Sequence, residues 1–373
     1  MDNSDNKYLC QIQKAKRSQR RERFGSQMTK ATKAKNLVML MSLAGAIAIA
    51  PFIPIPSSST PAKAQVTPGT QPTTSFAKPQ IIYSFIEHSG TIKSLAFTPD
   101  SRTLASGGSD NEGVIRLWDT TTGKRIGIIR RAHKTAIESI VISPDGQTLA
   151  SGGDDNIINL WNLNNNKFTR SFVAHTSNVL SLAVTPNGKV LVSGALDGIR
   201  MWDLLQQRPL ATLTRFDNLI YTLAISPDGQ TLASGDNVGV IKLWDLSTGK
   251  LIRTVPAAHS NTVTKLVFTP DGTTLVSASR DRTIKLWNVS TGQLVRTLVG
   301  HNNWVNAIAI NSNGQTLASA GRDGIKLWDL TSGELLNTLY GHSDWVSAIA
   351  FSPDGTKLAS GGFDTRVNVW QLQ

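Results

Sequence analysis

All six histidines of this chain fall at one position of a repeat about 42 residues long: His88, His133, His175, His259, His301 and His342. A Trp closes each unit, at Trp118, Trp161, Trp202, Trp287, Trp328 and Trp370, and a seventh unit has Trp244 with Phe216 where the histidine belongs. Scarce residues are thus committed to architecture, which removes most of the side chains that catalysis would draw on.

The second unit shows what one repeat contains. Ile137 to Ile142 is a β-branched apolar run that stops at Ser143-Pro144-Asp145-Gly146. In that turn Pro presets φ, Asp bonds back to the backbone and Gly accepts a positive φ. Thr148 to Ser151 reads as the next strand, Ile157 to Leu163 as a third and Phe168 to Val173 as a fourth. The turn recurs at Thr185-Pro186-Asn187-Gly188, Ser226-Pro227-Asp228-Gly229, Thr269-Pro270-Asp271-Gly272 and Ser352-Pro353-Asp354-Gly355, with variants at Thr98 and Asn311. Four short strands per period of this length predict a propeller blade, because one such sheet cannot bury its faces without neighbours. The expected fold is all-β: a seven-bladed β-propeller over residues 80–373, with four antiparallel strands per blade. The unit that begins at His342 has a third strand and no room for a fourth, and an orphan strand, Gln80 to Ile86, precedes His88. Pairing it with Arg366 to Leu372 closes the ring and leaves no open edge.

The pairs Trp118-Asp119, Trp202-Asp203, Trp244-Asp245 and Trp328-Asp329, with Asn162, Asn288 and Gln371 at the second place elsewhere, resemble the WD-repeat family of β-propellers. The likeness covers about 290 residues in seven recurrences. It implies a buried tetrad per blade, here His133, Ser151, Asp155, Trp161; His175, Ser193, Asp197, Trp202; His259, Ser277, Asp281, Trp287; His301, Ser319, Asp323, Trp328; and His342, Ser360, Asp364, Trp370. The first unit offers His88, Ser106 and Trp118, with Asp110 in a turn two residues longer. In the fourth only Ser234 and Trp244 are in place, with Asp236 displaced, so that blade is expected to be the softest. A buried His needs partners at both ring nitrogens and a buried Asp needs donors. A charge-assisted bond meeting both contributes on the order of 1.5–3 kcal/mol. The sets therefore read as structural pins. Hydrolase triads are the rival reading, but a nucleophile is exposed and unique, whereas these serines repeat blade after blade.

Strand parity puts the histidine loops and the Asp-containing turns on one face and the Pro-Asp-Gly turns on the other. On the first face the resemblance points to positions three and five after the His and to the residue before the tetrad Asp. Blades five to seven then present Arg280, Trp304, Arg322, Trp345 and Phe363, blades three and four add Leu180, Leu196, Leu219 and Tyr221, and blade two is acidic through Glu138 and Asp154. Trp, Tyr and Arg dominate interface energetics, so Trp304, Trp345, Phe363, Arg280, Arg322, Tyr221 and Leu180 are the candidate partner-binding residues. The competing reading makes Trp304 and Trp345 packing residues at strand starts.

Residues 1–36 carry ten Lys or Arg against Asp2, Asp5 and Glu22, followed by an uncharged apolar run from Leu37 to Ala50 and by Ala62-Lys63-Ala64. This order reads as a secretory signal peptide over 1–64, with a start at Met28 instead of Met1 giving a more ordinary leader. The alternative is an uncleaved anchor, although fourteen helical residues span roughly 21 Å against a hydrocarbon core of ~30 Å. In both cases the propeller is expected outside the cytoplasm, periplasmic, secreted or held at the inner membrane, with 65–79 as a Pro/Thr-rich linker; the third reading is a cytoplasmic protein with an apolar tail. The formal charge of +12 is mostly tail: residues 65–373 have 27 basic and 23 acidic side chains, a difference of +4. No basic stripe with interleaved aromatics appears, so nucleic acid is not an expected partner. The single cysteine, Cys10, lies in the leader.

The function expected is a non-catalytic, monomeric scaffold that binds a protein or peptide on the His-loop face, with membrane involvement only through the N-terminal segment and no cofactor or metal. The alternatives are a carbohydrate or cell-envelope ligand stacking on Trp304 and Trp345, and a channel-site enzyme using Glu138, Asp154 or Glu112.

Overall fold

A computed structural model describes residues 79–109, 113–215 and 218–372. The expectations for the leader, the anchor, the start at Met28 and the linker, and those for Asp110, Glu112 and Phe216, lie outside the described residues. Within them every regular element is a strand.

Seven four-stranded antiparallel sheets stand around a ring, six of them built from consecutive strands. The innermost strands, from blade one to blade seven, are Ile92–Phe97, Ile137–Ile142, Ser181–Val184, Ile220–Ile225, Val263–Phe268, Ala307–Ile310 and Val346–Phe351. In blade two the remaining strands are Thr148–Gly153, Ile157–Asn162 and Lys167–Val173, so the expected boundaries hold to within two residues. Each Pro-Asp-Gly turn is fastened as its chemistry demands. Ser143 donates to Asp145 at 2.5 Å, accepts from the Thr148 amide at 2.9 Å, and Gly146 takes a φ of 72°.

Blade seven takes its outer strand from the other end of the chain. Gln80–Phe85 pairs antiparallel with Val367–Gln371, running from Gln80 opposite Gln371 to Phe85 opposite Val367. Phe85 also stacks on Trp118 of blade one, ring centroids 4.2 Å apart and 8° from parallel. The ring closes as the sequence predicts, and the closing strand joins the core of the next blade as well.

The apolar core is seven wedges, one per junction between blades. Each holds one repeat Trp, from Trp118 between blades seven and one to Trp370 between six and seven. Small residues let neighbouring sheets approach. A Cβ on Gly152 would stand 2.6 Å from Val179 of blade three, and one on Gly361 would stand 2.5 Å from Ile92 of blade one.

Polar bonds also run blade to blade around the channel. In blades one to four a hydroxyl accepts the next blade's amide: Ser94 from Ile140 at 2.9 Å, Ser139 from Leu182 at 3.1 Å, Ser181 from Leu223 at 2.9 Å and Thr222 from Leu266 at 3.1 Å. Blades five to seven use the preceding residue, which donates to the next blade's carbonyl. Thr264 reaches Val305 at 2.5 Å, Asn306 reaches Val346 at 3.2 Å and Ser347 reaches Ile92 at 2.5 Å. All seven junctions are therefore pinned twice, by an apolar wedge and by a side-chain hydrogen bond.

Candidate interaction site at the mouth of the central channel

The tetrads form in the five blades where the sequence supplies every member. In blade two the Trp161 indole donates to Ser151 at 3.2 Å, Ser151 lies 2.8 Å from Nε2 of His133, and Nδ1 lies 2.8 Å from Asp155. The same chain runs through His175, Ser193, Asp197 and Trp202; His259, Ser277, Asp281 and Trp287; His301, Ser319, Asp323 and Trp328; and His342, Ser360, Asp364 and Trp370. Because the carboxylate can only accept, a neutral imidazole donates to it from Nδ1 and accepts at Nε2, so the Ser hydroxyl accepts from the indole and donates to Nε2. One direction of donation satisfies every member with the His neutral. The serines Ser106, Ser151, Ser193, Ser277, Ser319 and Ser360 have no surface exposure, so no substrate reaches them as they stand.

Blade one keeps His88, Ser106 and Trp118 in this order, and Nη1 of Arg116 lies 2.7 Å from Nδ1 of His88. In blade four Trp244 donates to Ser234 at 2.9 Å. Asp236 is buried there and accepts from Asn218 at 2.8 Å and from the amides of Val238 and Val240. A further member escaped the sequence reading: a polar residue two before the Trp ties down the carbonyl just before the His. Asn159 reaches Ala132, Lys285 reaches Ala258 and Asn368 reaches Gly341.

Protonation behaviour follows from burial. It lowers the affinity of His175 and His301 for a proton, against the pull of Asp197 and Asp323. For Asp155, Asp197, Asp281 and Asp323 burial acts upward, but bonds from the imidazole and from backbone or hydroxyl donors outweigh it and hold the carboxyls below their ordinary value. Both kinds of folded-state value lie below the unfolded ones, so both contributions are present at high pH and lost on acidification. Stability is expected to fall in two stages, first below the ordinary His value of 6.5 and again below the ordinary Asp value of 3.8. Melting temperatures recorded from about pH 8 to about pH 3 check this, and a flat profile down to about pH 4 contradicts the first stage.

These pins hold the His loops and the turns between second and third strands at one end of the channel. A cavity of about 500 Å³ opens there, lined by side chains from all seven blades. The position five after the His contributes every time: Lys93, Glu138, Leu180, Tyr221, Thr264, Asn306 and Ser347. Trp304, Trp345, Phe363 and Arg280 complete a lopsided wall. The guanidinium of Arg280 lies between two rings, 5.2 Å from the centroid of Tyr221 and 4.9 Å from that of Trp304. Trp304 in turn meets Trp345 at 5.4 Å between centroids. Trp304 and Phe363 are 45% and 48% exposed, and neither they nor Trp345 belongs to an inter-blade core.

Six of the seven residues singled out from the sequence thus meet in one cavity. Arg322 does not; it is exposed and outside the lining. The reason is the turn. In blade five three residues, Arg280 to Arg282, connect the strands, whereas blade six has only Arg322 and Asp323 and turns tightly at Gly321 and Gly324. Leu196, in the equally short turn of blade three, is exposed and outside the lining too. Across the cavity the acidic side is internally matched. Lys93 lies 3.0 Å from Glu138, and Asn178 donates to Asp154 at 2.8 Å. Burial still raises the Glu138 carboxyl, opposed by Lys93. Among the described residues no cluster of His, Cys, Asp and Glu could hold a metal ion.

Comparison with known proteins agrees with this architecture. A family model described as the IFT122 first beta-propeller matches residues 91–294, and the WD domain, G-beta repeat matches 292–329 and 333–371. A 125-residue stretch, 33% of this chain, is 27% identical to the anaphase-promoting complex subunit cdh1 of Dictyostelium discoideum and spans 17% of that protein's length. Propellers of WD repeats generally act as non-catalytic scaffolds that bind other proteins. With the first model covering more than half of its residues and two further repeats matching beyond it, the chain belongs to the WD-repeat β-propellers of the IFT122 first-propeller type.

Proposed function

We propose that this propeller is a non-catalytic scaffold that captures a protein or peptide at the channel mouth on its His-loop face, and that it works outside the cytoplasm, delivered or tethered by its N-terminal segment. The observation that carries the reading is the convergence of Tyr221, Arg280, Trp304, Trp345 and Phe363 on one open cavity. Large rigid rings and a guanidinium supply interface area at little entropic cost. The blades that present them are pinned on both flanks, so binding needs little reorganisation. The basic stretch and apolar run of residues 1–50 support export or anchoring.

The exposed Trp304 beside the half-buried Trp345 also favours a second reading, stacking on sugar rings. Two measurements separate the two: affinity capture from the native cell envelope with mass spectrometry of what is retained, and a glycan array probed with the same protein. The expected result is a defined protein retained and no glycan bound. Glycan binding without a retained protein overturns the proposal.

A further inference from the structure

The ring of bonds around the channel has one irregular member. At the sixth position after the His, blades one to four carry the hydroxyls Ser94, Ser139, Ser181 and Thr222, each bonded to the next blade. Blades five to seven form their junctions through the preceding residue, which frees this position. Blades six and seven fill it with Ala307 and Ala348, but blade five fills it with Lys265. No junction needs that lysine. It lines the cavity with its side chain exposed to water.

Arg280 belongs to the same blade and the same cavity. Among the described residues its Nε is buried without an acceptor, and its guanidinium lies over the faces of Tyr221 and Trp304. Among the lining residues three cations, Lys93, Lys265 and Arg280, face one carboxylate, Glu138, which Lys93 already engages. Two unmatched cations and a buried Nε without an acceptor leave room for a group that supplies the missing charge. A carboxylate does so, since it accepts from an ammonium and matches the fork of a guanidinium.

We propose that the channel mouth is a carboxylate receptor for peptides: the ligand's carboxylate meets Lys265 and Arg280, and its neighbouring apolar side chain lies against Trp345 and Phe363. This rests on the peptide-binding reading above and specifies its ligand. The carboxylate is either a chain terminus or an Asp or Glu side chain, and both sources share the chemistry.

The test uses the full chain and random-sequence hexapeptides tethered through their N-termini in three forms. One ends in a free carboxylate, one is amidated with an internal Asp, and one is amidated and carries no acid. At least one carboxylate form is expected to bind about tenfold or more tightly than the neutral form, a difference of about 1.4 kcal/mol. Lys265→Ser and Arg280→Gln are each expected to reduce that preference to about twofold or less, while Lys265→Arg keeps it. Lys265→Ser restores the residue type used in other blades, so its melting temperature should match or exceed that of the parent. Equal binding of all three forms, lost on replacing Trp304 and Trp345 by Ala, overturns the carboxylate assignment and leaves the peptide site standing. No binding in any form, or binding indifferent to those Trp replacements, overturns the site itself. A preference that survives Lys265→Ser and Arg280→Gln removes both residues from the receptor.

Discussion

Deleting residues 80–87 is expected to lower the melting temperature by at least about 6 °C and to make the protein self-associate. Phe85 is buried at the junction of blades seven and one, stacked on Trp118. Losing a buried Phe costs about 3–5 kcal/mol, and in a large domain each kcal/mol shifts the melting temperature by about 2 °C or somewhat more. The deletion also strips the hydrogen-bonded partner from Val367–Gln371 and leaves an unpaired edge, which recruits a second chain. Calorimetry and size-exclusion chromatography check the two effects separately. Phe85→Ala should reproduce most of the thermal loss without the self-association, because the strand remains. A deleted form that stays monomeric with an unchanged melting temperature contradicts the closure.

Replacing Trp304 and Trp345 together by Ala is expected to weaken partner capture by about a hundredfold or more while moving the melting temperature by only a few degrees. A centrally placed Trp in an interface is worth about 2 kcal/mol or more on truncation, and about 2.8 kcal/mol corresponds to a hundredfold. Trp304 also forms one wall of the slot holding Arg280, so its removal loosens the guanidinium as well. The repeat tryptophans contrast with these two, since Trp118 to Trp370 are buried wedges whose loss opens a junction. Binding titrations beside thermal melts distinguish the roles. A double variant that unfolds returns both residues to packing, and one that binds normally removes them from the site.

The repeat made the blades legible because its signals are local. Turn chemistry at Ser143-Pro144-Asp145-Gly146 and the β-branched run Ile137–Ile142 each act over a few residues. The tetrads were legible through a fixed spacing and a family likeness. What stayed hidden lies between repeats. The Ser94 to Ile140 bond crosses 46 residues and depends on how one sheet is offset against the next. Lys265 therefore looks like one more polar residue on an alternating strand until its equivalents are seen to be bonded hydroxyls and alanines. Asn159 and Asn368 were hidden for the opposite reason: polar residues on a third strand read as solvent-facing, yet both are buried against the loop before the His. Arg322 was misplaced because position relative to the Asp was carried over without allowing for the length of its turn.

A photo-crosslinking amino acid installed at Phe363 on the His-loop face, and separately at Asn313 on the opposite face, tests the account in the native cell. An adduct with a protein or peptide from position 363, lost on replacing Trp304 and Trp345 by Ala and absent from position 313, is the predicted result. Adducts from position 313 alone, or from position 363 regardless of the two tryptophans, contradict it.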